Sequence, residues 1–357
     1  MGGSRELRCL IAAGGTAGHV LPALAIADAL RARGAAVSFA GSPDRVEARL
    51  VPEQGYEFDA FSVSGLPRRP SAELVRAAGR ALAAPIACRA ILRRRRPDAV
   101  LGAGGFVAGP MVLAARLEGI PCALTEADAH LGLANRLAAP LADRVFLALP
   151  VGRDGEKYRA VGRPIPAASR PVAREEARGR LGLALDARVA LVFGGSLGAR
   201  LLNDLALDAW AESGPSVIHL CGERDYPELA GRVMRADYLL RPFIDEIGVA
   251  YGAADVVLAR AGGSVWELAA AGLPAVLVPG EFATGQHQEK NARWFAAAGG
   301  AVVVPEATAS EAPRIVEALL GDGERLAAMA AAMRAVAKPD AAEEIADELV
   351  SLAAARR

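Results

Sequence analysis

Short apolar runs bounded by glycine alternate along the chain with longer segments rich in alanine and leucine. The runs at 7–12, 36–40, 99–102, 122–125 and 144–148 have the length and continuity of strands buried on both faces. Between them, 23–33, 45–53, 72–95, 110–118 and 132–139 read as helices. That alternation predicts a doubly wound parallel α/β sheet. At Val189 the pattern restarts, with strand candidates at 189–193, 216–221, 256–258, 275–278 and 301–304.

The two halves open alike. RCLIAAGGTAGH at 8–19 and RVALVFGGSLGA at 188–199 each read as strand, paired glycine, hydroxyl residue, one spacer and glycine. We therefore expect two similar domains, one spanning 1–162 with a C-terminal helix at 338–357, the other 163–337. The proline-punctuated stretch 161–171 is the linker, and 341–355 reads as a helix that crosses back onto the first domain.

Composition narrows the function classes. The 357 residues are 53% apolar, which excludes a disordered or collagen-like chain, and 41 basic side chains cancel 41 acidic ones. A neutral chain is a poor general nucleic-acid binder, because displacing counterions from phosphates takes clustered positive charge. The four cysteines, Cys9, Cys88, Cys122 and Cys221, form no CxxC pair, so neither a zinc site nor a disulfide framework is expected. No export signal is read at the N-terminus, and no apolar stretch reaches the roughly 18 residues of a spanning helix. If the protein meets a membrane, it lies on it.

In an open parallel sheet, ligands bind beyond the carboxyl ends of the strands. Both glycine turns sit there. Gly14, Gly15 and Gly18 let a ligand approach the backbone, Thr16 offers a hydroxyl, and the helix that follows points free amides at an anion. The same glycines also serve simply to make a tight turn. A dinucleotide site would need an acidic residue about 20 positions on, at the end of the second strand. That strand ends in Ala40 and Gly41. No GK[ST] follows either glycine cluster, so a Walker loop is absent as well.

A third loop, RAGGSVWE at 260–267, is followed by EFATGQHQEKNA at 281–292. Gly262, Gly263 and Ser264 can open a helix at a phosphate. Glu267, one turn in, can accept from a ribose diol or stand as a solvated helix-cap carboxylate. His287, Gln288 and Asn291 bring donors and acceptors suited to sugar hydroxyls, whereas four dispersed histidines do not converge as metal ligands.

With these loops assembled, the sequence resembles the MurG glycosyltransferases over essentially its whole length. The family's GGTGGH loop reads GGTAGH at 14–19, its GGSxGA loop stands at 194–199, and its VLGxGGYVSGP segment reads VLGAGGFVAGP at 100–110. The signature RAGGSVWELAAAGLPAVLVP with HQEKNA completes the likeness. The resemblance implies a GT-B fold, two Rossmann-like domains facing a cleft. It also implies transfer of N-acetylglucosamine from UDP-N-acetylglucosamine to an undecaprenyl-linked muramyl pentapeptide in peptidoglycan synthesis, with no cofactor and no metal. By the same likeness, Thr16, Ala17 and Gly18 lie against substrate, Ser196 and Arg163 face the diphosphate, and Ile244 faces the uracil. Gly263 and Ser264 face the phosphate, Glu267 the ribose, and His287 and Gln288 the sugar. The family's HEQN reads Thr125-Glu126-Ala127-Asp128 here. Its GNPVR reads Gly162-Arg163-Pro164-Ile165-Pro166, so Arg163 stands three positions before the usual arginine.

For the base that takes the acceptor's proton we expect His19, with Asp128 and Glu126 as competitors, while His19 can also bind phosphate or brace its loop. The lipid acceptor implies a membrane surface on the cytoplasmic side. Residues 68–96 hold nine arginines against one glutamate, with Leu74, Val75, Leu82, Ile86, Ile91 and Leu92 interleaved. That stretch reads as a basic amphipathic helix for anionic lipid, or as an ordinary core helix with a solvated face. Cell-wall synthesis proteins are expected as further partners. The rival readings are another GT-B transferase with a different lipid or natural-product acceptor, a UDP-sugar epimerase, or a non-catalytic sugar-nucleotide binder.

Overall fold

The structure is a computed structural model that describes residues 6–63, 72–153, 155–195, 198–280 and 287–356, with the backbone alone for 72–82. The chain divides into two compact units, 1–166 with 339–357, and 167–338. Arg163 to Pro166 therefore go with the first unit.

The first unit is a seven-stranded parallel sheet in the order β3-β2-β1-β4-β5-β6-β7. Its strands are β1 (Arg8–Ala12), β2 (Ala36–Gly41), β3 (Glu57–Ala60), β4 (Ala99–Gly102), β5 (Cys122–Glu126), β6 (Arg144–Leu147) and β7 (Tyr158–Ala160). Its helices are α1 (Ala17–Ala32), α2 (Glu47–Glu53), α3 (Ala72–Arg95), α4 (Ala108–Leu117) and α5 (Leu133–Ala138), and the chain's last helix, α14 (Ala341–Arg356), returns to it.

Successive side chains of a strand point to opposite faces, and the two cores follow that period. Cys9 and Ile11 of β1 pack with α1 and with Ile345, Ala346 and Leu349 of α14. Leu10 and Ala12 pack on the other face with Ile91 and Leu92 of α3 and Met111 and Val112 of α4.

The second unit repeats the plan with six parallel strands in the order β10-β9-β8-β11-β12-β13. These are β8 (Val189–Phe193), β9 (Ser216–Leu220), β10 (Tyr238–Arg241), β11 (Val256–Ala259), β12 (Ala275–Leu277) and β13 (Ala301–Val303). Around them lie α6 (Arg174–Leu181), α7 (Arg200–Trp210), α8 (Tyr226–Leu229), α9 (Ile247–Ala253), α10 (Val265–Ala271), α11 (His287–Ala297), α12 (Ala312–Gly321) and α13 (Gly323–Val336).

In each sheet the strand order reverses at the first strand, between β1 and β4 and between β8 and β11. A crevice opens at such a switch point. The loops that leave these four strands are GGTAGH, AGGFVAGP, GGSLGA and RAGGS, so topology gathers the glycine motifs in pairs.

Three strands escape the apolar-run criterion, namely β3, β7 and β10, and each is an edge strand. An edge strand of a parallel sheet is covered less completely and carries mixed sequences, here EFDA, YRA and YLLR. The first helix begins at Ala17, six residues before the expected start, because Thr16 ends the extended backbone and Pro22 lies inside the helix rather than before it.

The described half of α3 corrects the membrane expectation for two residues. Ile91 and Leu92 are buried in the core, so neither is available to acyl chains. Arg89 and Arg93 pair with Glu118, Arg94 pairs with Asp59, and Arg95 pairs with Asp59 and Glu57. Ile86, in contrast, is 72% exposed. Residues 68–71, and the side chains of Leu74, Val75 and Leu82, lie outside the described residues.

Candidate functional site

In the first unit the turn after β1 is built by backbone conformations and close approaches that a side chain would obstruct. Gly15 has φ +96°, and a Cβ on Gly14 would lie 2.3 Å from the Glu47 carboxylate. Glu47, fully buried on α2, accepts from the Gly15 amide at 3.1 Å and the Ser42 amide at 3.0 Å. The turn after β4 packs onto it. Gly105 has φ +74°, with its missing Cβ 2.2 Å from the Gly14 carbonyl oxygen, and Gly104 abuts the His19 ring at 2.4 Å by the same measure. The two glycine motifs of this unit are thus halves of one surface.

His19 stands in the first turn of α1, with Nδ1 3.2 Å from the Thr16 hydroxyl, which leaves Nε2 for a ligand. It lines a pocket of about 200 Å³ together with Gly18, Glu126, Asp128, Asn135 and Arg163, while Ile345 of α14 contributes to the wall. Burial lowers the imidazole pKa, the Arg163 charge lowers it further, and the Asp128 carboxylate opposes both. The ring is therefore held neutral to more acid pH than free histidine.

Arg163 reaches this pocket for a reason written in α1. Pro22 has no amide hydrogen, so the Gly18 carbonyl four residues earlier receives no helix bond from it. The Arg163 guanidinium donates to that carbonyl instead. It serves the first unit's glycine turn.

Glu126 ends β5 and is buried, which raises its pKa. Its carboxylate accepts from the Asp128 amide at 3.1 Å, the Gly132 amide at 2.9 Å and the Asn135 side-chain amide at 2.9 Å. A carboxylate so engaged holds the 126–135 loop. Asp128, half-buried on the same wall, retains its carboxylate for the pocket. Asn135 also donates to the Thr125 carbonyl at 3.0 Å, and its buried Oδ1 has no hydrogen-bond partner among the described residues.

In the second unit the turn after β8 has Gly195 at φ +96° and Gly198 at φ +73°; Ser196 lies outside the described residues. After β11, Gly263 and Ser264 are half-buried and lead into α10. Glu267, on that helix, accepts from the Tyr251 hydroxyl at 2.8 Å, so one carboxylate oxygen is oriented from α9. Arg260 donates to the Val278 carbonyl at 3.1 Å and to Glu306 at 2.5 Å.

At the start of α11, Gln288 accepts from the Gly280 amide at 2.8 Å, with His287 beside it. Asn291 donates to the Ala261 carbonyl at 3.2 Å and buries an Oδ1 that has no hydrogen-bond partner among the described residues. These bonds gather α10 and α11 at the carboxyl ends of β11 and β12. Ile244 is half-buried in the connection from β10 to α9.

Among the described residues no three His, Cys, Asp or Glu side chains are grouped to hold a metal ion. Glu47 and Tyr251 were invisible to motif reading because each meets a motif residue 16 or more positions away, Gly15 for Glu47 and Glu267 for Tyr251.

Two doubly wound parallel units, with paired glycine turns at each switch point, define the class of two-domain GT-B proteins. The chain belongs to glycosyltransferase family 28, whose N-terminal domain matches residues 9–147 and whose C-terminal domain matches residues 189–345. A Halothermothrix orenii protein named UDP-N-acetylglucosamine--N-acetylmuramyl-(pentapeptide) pyrophosphoryl-undecaprenol N-acetylglucosamine transferase is 37% identical over 354 residues, 93% of this chain and 95% of the relative. The crystal structure of Acinetobacter baumannii MurG superposes with a TM-score of 0.77 at 30% identity, covering 97% of this chain and 99% of that one. A UDP-N-acetylglucosamine 2-epimerase, at 14% identity and a TM-score of 0.67 over 99% of this chain and 98% of its own, shares the fold alone.

Proposed function

We propose that the protein transfers N-acetylglucosamine from UDP-N-acetylglucosamine to the C4 hydroxyl of the muramyl sugar in undecaprenyl-diphospho-muramyl pentapeptide, inverting the anomeric carbon. The observation that carries this reading is the likeness to a transferase of that name along 93% of the chain. The first unit takes the acceptor and the second the donor.

His19 Nε2 accepts the hydroxyl proton as the oxygen bonds to the anomeric carbon, and the sugar–phosphate bond breaks with its electron pair leaving on UDP. Thr16 at Nδ1 orients the ring, and Gly104 leaves its edge uncovered. The charge developing on the diphosphate meets backbone amides around Gly194–Gly195 and Gly262–Ser264. Glu267 takes the ribose diol, Gln288 and His287 the sugar hydroxyls, and Ile244 the uracil. The protein works at the cytoplasmic face of the plasma membrane as a peripheral protein, touching lipid through Ile86 of α3. No described helix is long and apolar enough to cross a bilayer.

The test follows radiolabel from UDP-N-acetylglucosamine into a lipid-linked muramyl pentapeptide in detergent with chelator present. Transfer is expected. Donor binding without transfer would overturn the acceptor assignment, and failure to bind donor would overturn the nucleotide-sugar reading.

A further inference from the structure

The second unit contains a buried polar chain that no contact proposed above uses. His219 of β9 has no exposed surface; its Nδ1 lies 2.9 Å from the Tyr238 hydroxyl and its Nε2 3.0 Å from Asn203 Oδ1. Asn203, in the first turn of α7, is equally buried and donates at 2.9 Å to the Cys221 carbonyl and at 2.9 Å to Asp225. Because the Asn203 nitrogen faces two acceptors, its oxygen must be the end turned to His219. The proton of the imidazole therefore sits on Nε2, and Nδ1 accepts from Tyr238. Donation runs in one direction, from Tyr238 through His219 and Asn203 to the Cys221 carbonyl. Burial pushes the His219 pKa down to about 3, so the ring stays neutral at physiological pH.

The chain ends where the glycine turn is seated. A Cβ on Gly198 would stand 2.2 Å from the Cys221 carbonyl oxygen, so that carbonyl and the turn touch. The Cys221 and Gly222 amides in turn donate to the Arg241 and Pro242 carbonyls, each at 3.0 Å, just ahead of Ile244. One buried chain thus fixes the strand exit that supports both the glycine turn and the segment carrying Ile244.

We infer that Tyr238, His219 and Asn203 are positioning residues for the nucleotide site of the second unit, acting by holding the Cys221 carbonyl as the seat of the glycine turn. This rests on the nucleotide-sugar reading of that unit. A chain that only filled the core would affect stability and leave ligand affinity alone.

The experiment measures UDP binding to the full chain by calorimetry, alongside its melting temperature. In His219→Leu the dissociation constant for UDP should rise about tenfold, and in Tyr238→Phe, the milder change, about threefold. His219→Gln, whose side-chain amide can still donate to Asn203, should stay within about twofold of wild type. Variants that melt earlier yet bind UDP as the wild type does would overturn the positioning role alone. If the wild-type chain binds no UDP, the nucleotide-sugar reading falls, and this inference with it.

Discussion

At His19 the decisive quantity is the balance of charge around one imidazole. Its lowered pKa means that the neutral, proton-accepting form persists below 6.5, so the acid limb of kcat/KM should lie below that value. Asp128→Asn removes the charge that favours imidazolium and should move the limb to still lower pH. Arg163→Met removes an opposing charge and should move it up. His19→Gln should lower kcat by about 10²–10⁴ with UDP affinity preserved. A pH–rate series on the three variants checks all of this, and a limb that ignores both neighbours would show that His19 is not the titrating base. Glu126, a competitor in the sequence reading, is occupied by three hydrogen bonds within its own loop.

At the scale of elements, the apolar runs marked the interior strands because those strands are covered on both faces. The edges β3, β7 and β10 lack that signature, and the start of α1 was obscured by Pro22. The turn after β4 acquires its meaning only against the turn after β1. Gly105→Ala would force a Cβ into the Gly14 carbonyl at a positive φ and should cost about 3 kcal/mol or more, with loss of transfer. Denaturant unfolding and kcat measure the two effects.

On α3, arginines that read as lipid-facing turn out to pair with acidic groups of their own unit. These pairs, two of them made with the buried Asp59, occupy charge that anionic headgroups would otherwise meet. Ile86→Asp should leave stability within about 0.5 kcal/mol and reduce cosedimentation with anionic vesicles. Unchanged vesicle binding would move the membrane contact elsewhere.

At the scale of the molecule, each unit has its own core, and α14 joins the last residues of the chain to the first unit. Ile345 is fully buried against β1 and α1 and also borders the His19 pocket. Ile345→Ala should destabilise the first unit by about 2–5 kcal/mol. If the two units unfold in separate calorimetric transitions, only the first unit's should shift. An equal shift of both would mean that the units unfold as one.

The doubly wound class, the repeat of one plan in two domains, the glycine turns and the return of the last helix were all legible from residue order. Those features rest on local chemistry, because a strand covered on both faces must be continuously apolar and a turn pressed against another backbone must be glycine. Partner choice was not legible. The Glu47 brace, the Arg163 answer to the amide missing at Pro22, the closed bonding of Glu126, the internal pairing of the α3 arginines and the Tyr238–His219–Asn203 chain depend on groups brought together from distant parts of the sequence. A polar side chain written in sequence leaves its partner open. Burial closes that choice, since a donor or acceptor withdrawn from water must find its complement wherever the packed chain has placed one.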